Sequence, residues 1–241
     1  MKKNIVLVVF CLFVFALPLY AQTITVTPGK TTYRRPKPIS SYKKSFVVTR
    51  PKIRGPSPLI AKKIEASISY EKNFDLNVPD EIKETQWLEE ASYDVDYNKN
   101  GILGVSLTIE GSGAYPSGST KPVVVSVKTG NRIIPADVFT DLNGLAAKAR
   151  IKQQAEIKQG LIDIKKDEPD AESPENLFES ANFTAANLKE FSVSDEGVTF
   201  WYDYGFPHVI EAMQPEGRYF FSWAQLKPYI KKGSLFAQFV R

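Results

Sequence analysis

Proton transfer, nucleophilic attack and metal ligation each need particular side chains, and this chain offers few of them. Its 241 residues include one histidine, His208, and one cysteine, Cys11. A single cysteine makes no internal disulfide and no zinc ribbon, and a single histidine supplies no multi-histidine metal site. No Ser or Cys nucleophile motif accompanies His208, and G-x-S-x-G is absent. Paired carboxylates do occur, at Glu89/Glu90 and Asp94/Asp96. Two acids facing one cleft would suit general acid–base hydrolysis, although Asp and Glu ordinarily sit on a solvated face. Asp96-Tyr-Asn98-Lys-Asn100-Gly101 spaces oxygen ligands as a calcium loop does. Its twelfth position is Leu107, where a bidentate Glu is needed, and its flanks alternate as strands, so it reads as a hairpin turn. Gly111-Ser-Gly113 lacks the context of a phosphate loop. The sequence thus assigns no catalytic residue, no metal and no cofactor.

The run Phe200-Trp-Tyr-Asp-Tyr-Gly-Phe206 is more suggestive. Read as a strand to Tyr204, it turns Phe200, Tyr202 and Tyr204 one way and Trp201 the other. One face is core; the opposite face could stack on sugar rings or hold a partner, because Tyr and Trp bury much area with few torsions to freeze. Tyr202 and Tyr204 are therefore candidate ligand contacts.

These residues need elements to position them. Tyr42 to Val48 alternates and opens the folded body as a strand. Ser57-Pro58 is a helix start, and Ile60, Ile64 and Ile68 form an apolar stripe to about Glu71. A short helix is expected over Pro79 to Gln86. Tyr93, Val95 and Tyr97 alternate, Asn98 to Gly101 turns, and Leu103, Val105, Leu107 and Ile109 alternate back as a hairpin. Pro122 to Val127 supplies a third strand, and Thr129-Gly130-Asn131 its exit turn. Thr140 or Asp141 caps a long helix to about Ile164, and Ser173-Pro174-Glu175 starts a short one. Phe191 to Val193, Val198 to Tyr204 and Arg218 to Ser222 read as strands; Ser222 caps a last helix ended by Gly233. The fold class is α+β: antiparallel β-meanders with helices packed against them, plus an extended N-terminal arm.

Charge divides the chain unevenly. Its formal +4 hides nine cations and no acid over residues 22–58, and 20 cations against 27 acids beyond them. Lys2 and Lys3, an apolar run from Ile5 to Leu17, and Leu19-Tyr20-Ala21 before Gln22 have the layout of a secretory signal peptide over residues 1–21. The run is shorter than the roughly 20 residues of a transmembrane span. Cleavage would remove Cys11, leaving a mature chain without cysteine. The product is expected to be exported to the periplasm or outside the cell, away from nucleic acid. Residues 22–41 read as a basic, proline-containing arm. Its Lys30, Arg34, Arg35 and Lys37, with Lys43 and Lys44 just beyond it, could contact an anionic surface.

Three segments carry a resemblance. They are Lys44 to Gly55; Gly113-Ala-Tyr115-Pro116 followed by Lys128-Thr-Gly130, Ile134 and Val138-Phe139; and Gly197-Val-Thr-Phe-Trp-Tyr202 followed by Gly217 and Phe220 to Ile230. In these the chain resembles the extracytoplasmic domain shared by the lysozyme-sensing anti-sigma factor RsiV and the peptidoglycan deacetylase PdaC, the domains of unknown function 4163 and 3298. The resemblance spans about Tyr42 to Lys232 and implies one α+β domain over residues 42–241, with a first part to about 110 and a second from 111 to about 233. The family turn commonly carries His where this chain has Tyr115. Neither the paired-histidine deacetylase motif nor a region before the apolar segment for binding a sigma factor is seen. What the resemblance implies is a stand-alone, non-catalytic secreted or periplasmic binding module. It would contact a lysozyme-like envelope protein or a peptidoglycan-type glycan, with Tyr115 and Pro116 among the contacts. The alternatives are a carboxylate-dependent hydrolase and a structural envelope protein tethered by its arm.

Overall fold

A computed structural model describes residues 24–39, 43–55, 57–113, 115–169 and 173–240. The signal peptide expected over residues 1–21 lies outside the described residues. Two sheets organise the chain: one of five strands in the order β1-β2-β3-β4-β5, and one of three in the order β6-β7-β8. The α+β class expected from the sequence is what the structure shows.

The first sheet begins earlier than the sequence pattern suggests. β1 (Thr25–Arg34) pairs antiparallel along its whole length with β2 (Ser45–Arg54). The basic stretch read as a loose arm is thus a sheet strand over ten of its residues. Its threonines, Val26 and Tyr33 favour pleated backbone, and its one proline, Pro28, falls where it removes no rung of the ladder. The Arg35 N–H donates to the Lys44 carbonyl at 3.0 Å. Counting alternately from there, Pro28 and Pro51 face each other at a non-hydrogen-bonded pair. Neither ring removes a rung of the β1–β2 ladder.

Arg35, one of the cations assigned to the arm, is buried, at 4% exposure. Its guanidinium donates to the Glu81 carbonyl (2.8 Å), the Lys43 carbonyl (3.1 Å) and the Leu88 carbonyl (2.7 Å), and reaches Glu81 Oε2 at 3.5 Å. It also lies 4.8 Å over the Phe46 ring. Burial lowers its pKa, opposed by Glu81. Lys30, Arg34, Lys37 and Lys44 are exposed, and Lys43 is half-buried.

Between β2 and β3 run three short helices, α1 (Pro58–Ser67), α2 (Tyr70–Phe74) and α3 (Val78–Lys83). Ser57 Oγ caps α1 by accepting from the Ile60 N–H at 3.2 Å. Ile64 and Ile68 are fully buried against the sheet, so the isoleucine stripe is core. This crossover makes β2 and β3 (Leu88–Lys99) parallel, through Val47 and Val48 opposite Glu90 and Ala91. The expected hairpin follows, with Asn100 and Gly101 at φ 56° and 73°, the left-handed pair a tight hairpin requires. β4 (Ile102–Ser112) and β5 (Pro116–Ser126) complete the meander. β5 starts six residues before the apolar run, because Ser117 to Lys121 pairs through its backbone and carries no alternating apolar signal. The boundary read at 110/111 falls inside β4. A bulge between Val95 and Tyr97 moves Tyr97 out of the alternation and into the second core.

After α4 (Pro135–Val138), α5 (Leu142–Asp167) is capped by Asp141, whose Oδ1 accepts from the Gly144 N–H at 2.8 Å. The second sheet comprises β6 (Phe191–Val193), β7 (Gly197–Trp201) and β8 (Arg218–Ser222), followed by α6 (Trp223–Leu226). Its core is aromatic, with Phe183, Phe200 and Phe236 fully buried. Ile102 and Val124 of the first sheet pack into it. The inner face of β4 and β5 (Leu103, Val105, Leu107, Val123, Val125) packs instead with the isoleucines of α1. No helix among the described residues is long and apolar enough to cross a membrane.

Arg35→Met leaves the Glu81 carboxylate buried without its cation, and such truncations cost about 3–5 kcal/mol. Urea unfolding is expected to show a loss of that order, and the double variant Arg35→Met/Glu81→Leu should recover part of it. A loss below about 1 kcal/mol would show that β1 does not depend on this pair.

A groove between the two sheets as candidate functional site

Where β7 ends, the chain leaves the sheet by way of aromatic residues. Trp201 is the last strand residue; Tyr202 makes one more rung, its N–H donating to the Gly217 carbonyl at 2.8 Å. The strand expected to run to Tyr204 therefore stops three residues early, and Tyr202 and Tyr204 do not share a strand face. Tyr204 is buried, at 7% exposure. Its hydroxyl lies 2.8 Å from Glu156 Oε2 and 2.8 Å from the Tyr219 hydroxyl, and Tyr219 donates to the same carboxylate oxygen at 2.9 Å. Tyr204 is thus a core residue and is withdrawn from direct contact with any ligand. Tyr202 is half-buried, packed on Phe183, with its hydroxyl accepting from the Asn182 N–H at 3.1 Å.

The second oxygen of Glu156 accepts from the Gly217 N–H at 3.0 Å. Gly217 has φ 63°, and a Cβ there would overlap the Tyr202 carbonyl, so both backbone and space demand glycine. One carboxylate of α5 thereby holds the turn from which Arg218 emerges. Arg218 faces Trp201 across the β7–β8 ladder and lies over its indole, 3.6 Å from the ring centre. Its Nη1 donates to the Glu216 and Gly217 carbonyls at 2.8 and 3.3 Å, and the Trp201 Nε1–H donates to Ser192 Oγ at 3.1 Å. Burial lowers the Arg218 pKa, opposed by Glu216 and Asp203. The guanidinium is held in place before any ligand arrives.

This platform forms one wall of a groove of about 520 Å³. The opposite wall is the polar end of the first sheet: Thr108 and Glu110 of β4, and Gly118 through Pro122 of β5. Glu211, in the short helical turn His208–Met213, forms a lip with Gln214. Tyr115 is exposed at the β4–β5 tip, with its ring 5.6 Å from that of His208, and exposed Pro116 follows it. Of the four contact residues expected from sequence, Tyr202 alone lines the groove; Tyr115 and Pro116 are exposed at the β4–β5 tip and Tyr204 is buried.

Glu89, Glu90, Asp94 and Asp96 are all exposed, and none lines the groove. Asp96 accepts from Ser106 at 2.7 Å. Among the groove acids, Glu190 pairs with Arg132 at 3.2 Å and Glu211 bonds His208 at 2.7 Å. Among the described residues no cluster of three or more His, Cys, Asp or Glu side chains is placed to hold a metal. Arg218, Glu110 and the β5 edge carry no local signal of a site; the aromatic run, through Trp201 and Tyr202, is the feature of the sequence that points to this wall.

No protein-family model matches the chain, and no curated protein matches its sequence. Among solved structures it is similar to a DUF3298 family protein from Pseudomonas aeruginosa, at 15% identity and a TM-score of 0.50, covering 87% of this chain and 95% of that one. A DUF3298 family member from Bacteroides fragilis is 12% identical, with a TM-score of 0.49 and coverage of 91% and 97%. The chain has the DUF3298 fold, as its sequence resemblance implied.

Burial, reinforced by Glu156, holds the Tyr204 and Tyr219 phenols well above their ordinary pKa of about 10. A raised acid contributes stability below its unfolded pKa and loses it as pH rises further. Stability is therefore expected to fall as pH climbs above about 10, with phenolate absorbance and loss of circular dichroism rising together. Glu156→Gln should cost about 2 kcal/mol at neutral pH and let phenolate form at lower pH than in the parent. Two phenols titrating normally in the folded parent would contradict the arrangement.

Proposed function

We propose that the chain is a non-catalytic binding module of the bacterial cell envelope, exported by its N-terminal segment, which contacts a lysozyme-like protein or a peptidoglycan-type glycan through the groove between its sheets. The observation that carries this reading is the Trp201–Arg218 platform. A planar cation fixed on an indole by two carbonyls, beside Tyr202, is a preorganised surface for an amphipathic ligand. The carboxylates that suggested hydrolysis stand outside the groove, which favours binding over turnover. Exposed Lys30 and Arg34 on the edge strand β1, with Lys37 and Lys44 in the segments between β1 and β2, support a further contact with an anionic surface.

Retention of the mature chain on purified peptidoglycan and on immobilised lysozyme tests this reading. Trp201→Ala, Arg218→Ala and Tyr202→Ala are each expected to weaken retention on one of the two supports by about tenfold, with circular dichroism unchanged. Tyr115→Ala should have a smaller effect, and Tyr204→Phe should act on stability alone. Folded variants that all bind like the parent would sink the groove as the contact surface.

A further inference from the structure

The β5 wall of the groove differs in kind from the β4 wall. β4 contributes Thr108 and Glu110, alternate residues, as a strand does when it shows a face. β5 contributes five consecutive residues, Gly118 to Pro122, as a strand does only when it shows its backbone edge. β5 is the last strand of its sheet, bonded on one side to β4.

The direction of its free groups follows from its far end. There the Ile133 N–H donates to the Val124 carbonyl at 2.8 Å and the Ser126 N–H to the Asn131 carbonyl at 3.0 Å. Val124 and Ser126 therefore turn their backbone groups away from β4. The β4–β5 register is unbroken, so Gly118 and Thr120 do the same. Pro122 shares this parity, and its missing N–H falls on the open side. The 2.9 Å contact between Thr108 and Thr120 Oγ1 fits, since side chains approach most closely at non-hydrogen-bonded pairs. Among the described residues nothing bonds the outward N–H and C=O groups of Gly118 and Thr120. Pro116 and Pro122 bound this short open edge, which blocks indefinite strand stacking.

Charge selects the occupant. Glu110, Asp203 and Glu216 line the groove without an ion-pair partner among the described residues. The groove's cations are fewer than its five carboxylates: Arg218 is held by backbone carbonyls, the Lys121 ammonium is turned to the Asn73 carbonyl at 2.8 Å, and Lys189 is exposed. We infer that the groove takes an extended peptide segment bearing basic side chains, which adds as a strand to β5 through Gly118 and Thr120 and lays its cations toward Glu110, Asp203 and Glu216. This rests on the binding-module reading and names the ligand class of the same groove as a protein segment.

The probe is acetyl-Thr-Val-Lys-Thr-Lys-Val-Thr-amide, labelled for fluorescence anisotropy. Saturable binding is expected, weakened by salt and by about tenfold or more when both Lys are replaced by Glu. N-methylation of alternate residues should abolish binding in one frame and spare it in the other, because only one set of amides faces β5. Amide exchange should slow at Gly118 and Thr120 and stay unchanged at Ser119 and Lys121, which already bond β4. Thr120→Pro removes one outward N–H and should abolish peptide binding with the fold intact. Equal binding by both N-methylated frames, unchanged exchange at Gly118 and Thr120, or no binding at millimolar peptide would each overturn the inference. If peptidoglycan or lysozyme is still retained in that event, the binding-module reading stands without strand addition.

Discussion

The five-stranded sheet has two faces to bury, and two different covers for them. Alternation along β4 and β5 sends Leu103, Val105, Leu107, Val123 and Val125 to one side, where they pack with the isoleucines of α1. The other side meets the aromatic second core at Ile102, Val124 and the bulge-displaced Tyr97. Toward the β4–β5 tip the same face turns polar, with Thr108, Glu110 and Thr120. A sheet seated over the apolar end leaves the polar end open, so one change of polarity along one face decides both where the halves join and where the groove lies.

Polar latches then determine how accurately the groove walls are placed. Glu156 reaches from α5 to two tyrosines and the Gly217 amide, and so sets the turn that delivers Arg218 to Trp201. The first sheet has a latch of the same kind, in which the buried Arg35 guanidinium is spread over three carbonyls and Glu81. Both latches join residues far apart in sequence, and both would be costly to leave half-satisfied.

Much of the fold could be read from local pattern. The Ser57–Pro58 start, the isoleucine stripe, the Asn100–Gly101 hairpin, the Asp141 cap and the short strands around Phe191 and Arg218 all appear near their expected places. Each depends on neighbours within a few residues, as caps and tight turns do. The misreadings share one cause. The Thr25–Arg34 strand carries the charge and proline of a linker, and becomes a strand only because Ser45 to Arg54 lies beside it. The polar start of β5 pairs through backbone alone, and the bulge near Asp96 redirects Tyr97 without any signal in residue type.

Composition and short-range periodicity were enough to establish the α+β class, most element starts, the poverty of catalytic groups and the aromatic run from Phe200 to Phe206. Long-range packing was needed to separate the aromatic residues of the core from those of the groove wall. Tyr204 and Tyr202 are two residues apart, yet one is bound to a carboxylate 48 positions away and the other opens on the groove. The free edge of β5 belongs to the same category: an unpaired backbone group is defined by the absence of a neighbour in space, which no stretch of local sequence records.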